Sequence, residues 1–203
     1  MKAPKPVPAS WNHFLHLDPY RLTNSIKGLR LGRHEGFYAA DLDQQVTGDG
    51  ILVCAHWPDL DRNGVYRRST GKRIAKGLHI ADLSMKELSE LRSSDGLRIR
   101  RTTTIMKHAR VLGYHRLELE AKQDKRLQHP ETWQDVYDLA QELAFKQGVQ
   151  VKTLTSIPHG AKRLRAAKAV GFETIMLPRG KGAKSKDAWW PVADYHRGPV
   201  TWR

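Results

Sequence analysis

Hydrophobic positions along this chain switch repeatedly between a two-residue and a helical period, and the switches predict strands and helices in turn. Residues 11–17 read as a first strand, whose apolar run ends at His16 before the turn at Asp18-Pro19. Residues 24–33 carry Ile26, Leu29 and Arg30 at helical spacing. Residues 37–43 predict a second strand, and Thr47-Gly48-Asp49-Gly50 predicts a turn. The apolar run 51–55 then reads as a buried returning strand that delivers His56 at its end. Residues 58–79 predict a long basic loop with turns at Asn63-Gly64 and Thr70-Gly71. Ser84-Met85-Lys86-Glu87 has the form of a capping box opening a short helix through Leu91. Residues 102–112 predict a helix closed by Gly113, and residues 116–120 a third strand.

The clearest helix starts at His129-Pro130-Glu131-Thr132 and runs to about Lys146. Trp133, Val136, Tyr137, Ala140, Leu143 and Ala144 trace its apolar face. A strand over 149–154, a basic helix over 161–169 closed by Gly171, and a strand over 172–177 complete the pattern. Strands alternating with helices predict an α/β fold with a largely parallel sheet. After Leu177 the strand–helix units run out: either the sheet is pared down, or strands lie within 189–202. Residues 179–187 are rich in Gly and Lys and predict a basic surface loop. Trp189, Trp190, Tyr195 and Trp202, interleaved with basic residues, suit either a plug for a small barrel or base stacking.

Length adds one constraint: 203 residues suit one domain, predicted over 11–203 after an extended, proline-rich lead-in over 1–10. No apolar run reaches a membrane span and no secretory signal is visible, which predicts a cytoplasmic protein. Cys54 is the only cysteine; on a buried strand it reads as a small core residue. The net charge of +14 favours contact with polyanions or phosphorylated substrates. No zinc spacing, Gly-x-Ser-x-Gly elbow or dinucleotide fingerprint is present, which removes those chemistries.

The candidate chemistry lies in one window. Asp41 and Asp43 alternate along a strand, so both side chains point to one face. Two acids on one face with His56 brought back nearby suit a hard divalent cation, Mg2+ or Ca2+, and a general acid or base. Glu118 and Glu120 share a face of the third strand, so either supplies a third carboxylate. Histidine is the natural acid/base near neutral pH, and His16 or His13 is available as a partner for His56. The remaining histidines show no partner pattern and read as surface or structural groups.

The order of these motifs resembles the glycerophosphodiester phosphodiesterase family. Thr23-Asn24-Ser25 stands where that family has Glu-Asn-Thr, Asp41-Leu42-Asp43 where it has Glu-x-Asp, and Thr47-Gly48-Asp49-Gly50 where it has Thr-x-Asp-Gly. His56-Trp57 stands for its His-Asp, Leu60-Asp61-Arg62 for its Leu-x-Arg, and Glu120-Ala121-Lys122 for its Glu-x-Lys. Three departures stand out. The opening His-Arg-Gly is missing, Asp41 replaces a Glu, and Trp57 replaces an Asp, the marks of a divergent, compact branch, one a virus could carry. The resemblance implies a TIM-like (β/α) barrel, pared down in its C-terminal half, that hydrolyses a small phosphodiester. It implies a metal held by Asp41, Asp43 and Glu120, with His16, His56 and Lys122 catalytic and Arg21 or Arg62 replacing the lost phosphate-binding arginine. It also implies attack by the substrate's own vicinal hydroxyl. The rival expectation is a catalytically weak, basic binding module for nucleic acid or another polyanion on the same scaffold.

Overall fold

The computed structural model describes residues 11–12, 24–34, 36–63, 65–68, 70–93, 96–155 and 160–176. In chain order its elements are β1 (Trp11–Asn12), α1 (Ile26–His34), β2 (Ala39–Val46), β3 (Leu52–Cys54), β4 (Val65–Arg68), α2 (Met85–Ser89), β5 (Leu91–Ser93), β6 (Arg100–Arg101), α3 (Thr102–Val111), β7 (Arg116–Ala121), α4 (Gln134–Gln147), β8 (Gln150–Thr155), α5 (Ala161–Val170) and β9 (Thr174–Met176).

Five strands, β1, β2, β7, β8 and β9, lie side by side in chain order and all parallel. Parallel neighbours joined through intervening helices are the repeating unit of a (β/α) barrel. The outer edge of β2 is shared. Its first residues, Ala39 and Ala40, pair with β1, and Gln44 to Val46 pair antiparallel with β3, which in turn holds β6. The hairpin-like return from β2 to β3 therefore rises from the C-terminal end of the parallel strands.

Period-two alternation decides what each sheet face carries. Ala40, Leu42, Leu117, Leu119 and Ala121 face a core completed by Ile105, Met106 and Ala109 of α3, Val136, Leu139, Ala140 and Leu143 of α4, and Ala166 and Ala167 of α5. Trp133 is fully buried there, its Nε1 donating to the Leu127 carbonyl at 2.9 Å. The other face of the same strands carries Asp41, Asp43, Glu118 and Glu120, all buried. Branched apolar side chains usually fill a barrel interior; here the described part of that face is charged, with the four carboxylates and the buried Lys152 opposite Glu118. A second, smaller core forms beneath the β3 side from Val53, Leu60, Ile80, Leu88, Leu91 and Ile99.

Local signals place the helices. Ser25 caps α1, its Oγ accepting from the Gly28 N–H at 3.0 Å. Ser84 and Glu87 form the expected reciprocal capping box on α2. Gly48 is required by close approach: its N–H donates to the Leu83 carbonyl at 2.6 Å, and a Cβ would lie 3.1 Å from the Ala81 carbonyl oxygen. Gly171 closes α5 at φ 116°, a left-handed conformation, with the Tyr137 hydroxyl where a Cβ would stand.

Several sequence expectations are corrected. β2 begins two residues later than expected and extends to Val46, because β3 supplies partners for its last residues. The predicted loop over 58–79 contains β4, which pairs with β5 in a two-stranded sheet. The helix opened by Ser84 ends at Ser89, and Leu91 begins β5. On α4, Ala144 is exposed and Leu139 takes its place in the core. Phe172 precedes β9 and packs edge-on against Trp133 and Tyr137. The lead-in, His13, His16, Arg21, the loop over 179–187 and the aromatic residues near the C-terminus lie outside the described residues. Among the described residues no helix is long and apolar enough to cross a membrane.

Candidate active site

Parallel register brings the carboxylates together. Asp41 stands opposite Glu118 and Asp43 opposite Glu120, on the polar face of β2 and β7. Asp43 and Glu120 form the layer nearer the C-terminal end, where βα loops build barrel active sites. Asp41 and Glu118 lie one layer deeper.

Asp43 is the hub. Its Oδ2 accepts from Asn24 Nδ2 at 2.7 Å, and its own N–H donates to Asn24 Oδ1 at 2.8 Å. Its Oδ2 also lies 3.1 Å from His56 Nδ1, and its Oδ1 lies 2.6 Å from Lys122 Nζ. Burial disfavours its charge, but the His56 hydrogen bond and the Lys122 charge outweigh burial, so Asp43 stays well below the usual carboxylate range. A carboxylate accepts, so this contact selects the Nδ1–H tautomer of His56 and leaves Nε2 with the lone pair.

Lys122 bridges two strands. Its Nζ also donates to Glu120 Oε2 at 2.6 Å. Burial works against the ammonium, and the Asp43 and Glu120 charges more than reverse that, holding Lys122 above its ordinary range. Glu120 is pushed up by burial and by the neighbouring Asp41 and Asp43 charges. Glu118 is raised further, to about 8, chiefly by burial, although Arg116 lies 2.8 Å away. Glu118 has Arg116 and Lys152 beside it, but Asp41, Asp43 and Glu120 repel one another around the single Lys122. All-oxygen donors crowded until they repel suit a hard cation, so the chemistry of the set fits a divalent ion. Among the described residues, however, no three His, Cys, Asp or Glu side chains converge as ligands of one ion, and Lys122 holds the position between Asp43 and Glu120.

The site opens into a cavity of about 860 Å³ lined by His56, Trp57, Arg62, His79, Glu120, Lys122 and Arg126, among others. Trp57 meets the His56 ring edge-on at 4.4 Å, and the Arg62 guanidinium lies 3.4 Å over the Trp57 ring. The loop that carries them is pinned by the buried Asn63, whose Nδ2 donates to the carbonyls of Trp57 and Asp59 at 2.6 and 2.8 Å. Arg126 donates to the carbonyls of Val46 and Thr47 at the end of β2 and pairs with Asp124. Cys54 hydrogen-bonds with Thr102 and Gln44 in the core, its thiol pushed up to about 12 by burial; it is a packing residue.

Of the residues singled out from sequence, Asp43, Glu120, Lys122, His56 and Arg62 are gathered at this one end of the sheet with Asp41 one layer beneath, while His16 and Arg21 fall outside the described residues. Two of the cavity residues not singled out from sequence carry charge or an imidazole on its wall, His79 and Arg126. His79, read as a surface histidine, lines the cavity with its Nε2 3.1 Å from Asp59 Oδ1. Arg126 carries no motif. The contacts that bring them here are long-range: His79 meets Asp59, 20 residues away, and Arg126 meets the end of β2, about 80 residues away.

Comparison with known proteins follows this geometry. The profile of the glycerophosphoryl diester phosphodiesterase family matches residues 16–190. A phosphodiesterase from Oleispira antarctica, solved in complex with the product sn-glycerol-3-phosphate, superposes with a TM-score of 0.59 at 21% identity, over 75% of this chain and 58% of its own. A putative glycerophosphoryl diester phosphodiesterase from Silicibacter pomeroyi gives 0.58 at 17% identity, over 80% and 64%. A glycerophosphodiester phosphodiesterase from Parabacteroides distasonis gives 0.52 at 20%, over 81% and 61%. The chain thus spans about three fifths of the length of these structures. At such identities the likeness is one of fold. Among curated protein sequences none matches the chain.

Proposed function

The chain belongs to the glycerophosphoryl diester phosphodiesterase family, and from that premise we propose that its cavity hydrolyses a phosphodiester with the help of a divalent cation. The observation that carries the reading is Asp43, buried at the end of a parallel sheet and shared by His56 and Lys122. Asp41, Asp43 and Glu120 would hold the ion; burial and the Asp41 and Asp43 charges push Glu120 up, and a second positive charge would relieve the repulsive part. When bound, such an ion, Mg2+ or Ca2+, would supply Lewis-acid withdrawal of charge from the phosphoryl oxygens.

The chain's own groups do the rest. Asp43 orients the His56 ring and stabilises its protonated form. His56 Nε2 takes the proton from the attacking hydroxyl, the one vicinal to the phosphate, while a second acid protonates the leaving oxygen. Water, giving its proton to that second group, then opens the cyclic phosphate as protonated His56 returns its proton to the ring oxygen that leaves. His16 is the proposed second acid. Lys122, held beside Asp43 and Glu120, would supply positive charge to a non-bridging oxygen. Arg62, stacked on Trp57, supplies a fixed positive charge at the cavity wall in place of the missing opening arginine, with Arg21 as its proposed companion.

Glycerophosphodiesters of different alcohols, assayed with Mg2+, with Ca2+ and with EDTA, test the reading. Release of glycerol 3-phosphate that stops in EDTA and returns with the ion supports it. No turnover in any condition overturns it.

A further inference from the structure

The cavity is wider than the reaction centre needs. Its volume of about 860 Å³ falls toward the upper end of small-molecule sites, roughly 300–1,000 Å³, and leaves room beyond a glycerol and one phosphate. Charge is spread unevenly over its walls. Lys122 is matched by Asp43 and Glu120, and Arg126 by Asp124. Arg62 and Lys125 also line the cavity, both exposed, and neither has a carboxylate partner among the described residues. They come from different sides: β2 lies between β3 and β7, Arg62 follows β3, and Lys125 follows β7. With Arg62 serving the reacting phosphate, Lys125 is left over on the β7 side.

The loop that carries Lys125 is braced on both sides. The β2–β7 ladder ends at the pair Gln44–Ala121, so Val46 has no partner on β7. Arg126 stands in for the missing strand, donating to the carbonyls of Val46 and Thr47. Asp124 accepts from Arg126 Nε at 3.1 Å and Nη2 at 2.7 Å. Arg163 of α5, itself buried, donates to the carbonyls of Gln123 and Asp124 at 2.7 and 3.2 Å. Of the N–H groups of the Arg126 guanidinium, one on Nη1 is left without a partner among the described residues. An anchored guanidinium with a spare donor, next to an unmatched ammonium, is a preorganised place for a phosphate. Val46 lies three residues beyond Asp43 on β2, about 10 Å along the strand at ~3.3 Å per residue. That separation is the length of a short alcohol and its phosphate.

We propose that Lys125 and Arg126 bind a second phosphate, carried by the leaving alcohol, and that the cavity prefers such diesters to those of a neutral or cationic alcohol. The assignment rests on the reading of the cavity as a phosphodiesterase site and names its substrate class. The second phosphate meets Lys125 as a mobile point charge and the spare N–H of Arg126 as a fixed donor. A quaternary ammonium in the same place meets positive charge with no aromatic face to receive it, since Arg62 already covers the Trp57 ring.

The test compares kcat/KM of the full chain on three glycerophosphodiesters, with Mg2+ or Ca2+ in excess of substrate. The leaving alcohols are 1,4-butanediol, its monophosphate and choline; none offers a vicinal hydroxyl of its own, so attack comes from the glycerol in each. The wild type prefers the phosphate-bearing ester to the butanediol ester by about fivefold or more, the worth of an ion pair and a charged hydrogen bond at a partly exposed site. The choline ester comes last. Lys125→Gln lowers the first preference by about two- to fivefold, and Lys125→Glu lowers it further. Lys125 is exposed, so neither change removes packing. Raising salt from about 0.05 to 0.5 M shrinks the preference more in wild type than in Lys125→Gln. A phosphate-bearing ester cleaved no better than the butanediol ester, or a preference equal in wild type and Lys125→Glu, overturns this inference alone while the butanediol ester is still cleaved. Cleavage of none of the three with either ion overturns the phosphodiesterase reading and the substrate assignment with it.

Discussion

Replacing Asp43 by Asn removes one charge and keeps the shape, and the structure sets the size of the effect. Asp43 is buried and accepts from Asn24, His56 and Lys122 at 2.7, 3.1 and 2.6 Å. Removing one member of a buried ion pair costs about 3–5 kcal/mol. Two compensations reduce that. Lys122 keeps Glu120 at 2.6 Å, and Glu120 loses a repelling neighbour whose charge helps to raise it. That relief returns part of the cost, leaving a net loss of about 2–3 kcal/mol, toward the low end of that range. With a urea slope near ~2 kcal/mol/M, the midpoint at pH 7 falls by about 1 M. The pH dependence has a definite sign. Because the folded value of Asp43 is depressed, its stabilisation is present above the ordinary value of 3.8 and is lost as pH falls toward the folded value. The gap between wild type and Asp43→Asn therefore narrows in acid. Turnover falls with it, since the His56 tautomer and one proposed ion ligand are both disturbed. A midpoint shift under ~0.2 M, or an equal gap at pH 3 and pH 7, refutes the reasoning.

His56→Ala lowers kcat by about 10²–10⁴-fold, the span for a positioned acid or base, while calorimetric binding of Mg2+ or Ca2+ persists; unchanged kcat contradicts the role. Glu118, raised to about 8 from an ordinary 4.5, contributes stability that is full below the lower value and lost as pH rises through the upper one. Glu118→Gln accordingly flattens the fall in Tm between these two pH values, and an unaltered profile shows that another group causes it. Cys54, buried with its thiol pushed to about 12, stays unlabelled by thiol reagents at pH 8 until denaturant is added; prompt labelling of the native chain contradicts its core placement.

What could be read from the sequence depended on how far each partner lies along the chain. Asp41-Leu42-Asp43 and the run that delivers His56 were legible because alternation and a tight turn act within a few residues. The register that sets Asp43 beside Glu120 spans 77 positions and leaves no local mark. Lys122 was legible as a basic residue after Glu120, but its second partner, Asp43, comes from that same register. β4 was hidden because Val65-Tyr66-Arg67-Arg68 ends in two charges, and charged residues argue for a loop when a strand sits at an edge. Leu139 and Ala144 exchanged places because six residues of a helix do not define the centre of its buried stripe; packing against α3 and α5 does. The capping box on α2 was legible because both its hydrogen bonds close within three residues. His79 joined the cavity only through its bridge to Asp59, a contact made by tertiary folding.

The central claim, that a carboxylate-bound ion and an Asp43-oriented His56 hydrolyse a phosphodiester, is met most directly by ³¹P NMR of glycerophosphocholine. The wild type is followed with Mg2+ or Ca2+, and Asp43→Asn is followed beside it. The account predicts that the diester resonance decays into that of a monoester, through a transient cyclic phosphate, and that the variant and an EDTA control leave it standing. A diester resonance that persists with wild type and ion, or decays equally in Asp43→Asn, would contradict the account.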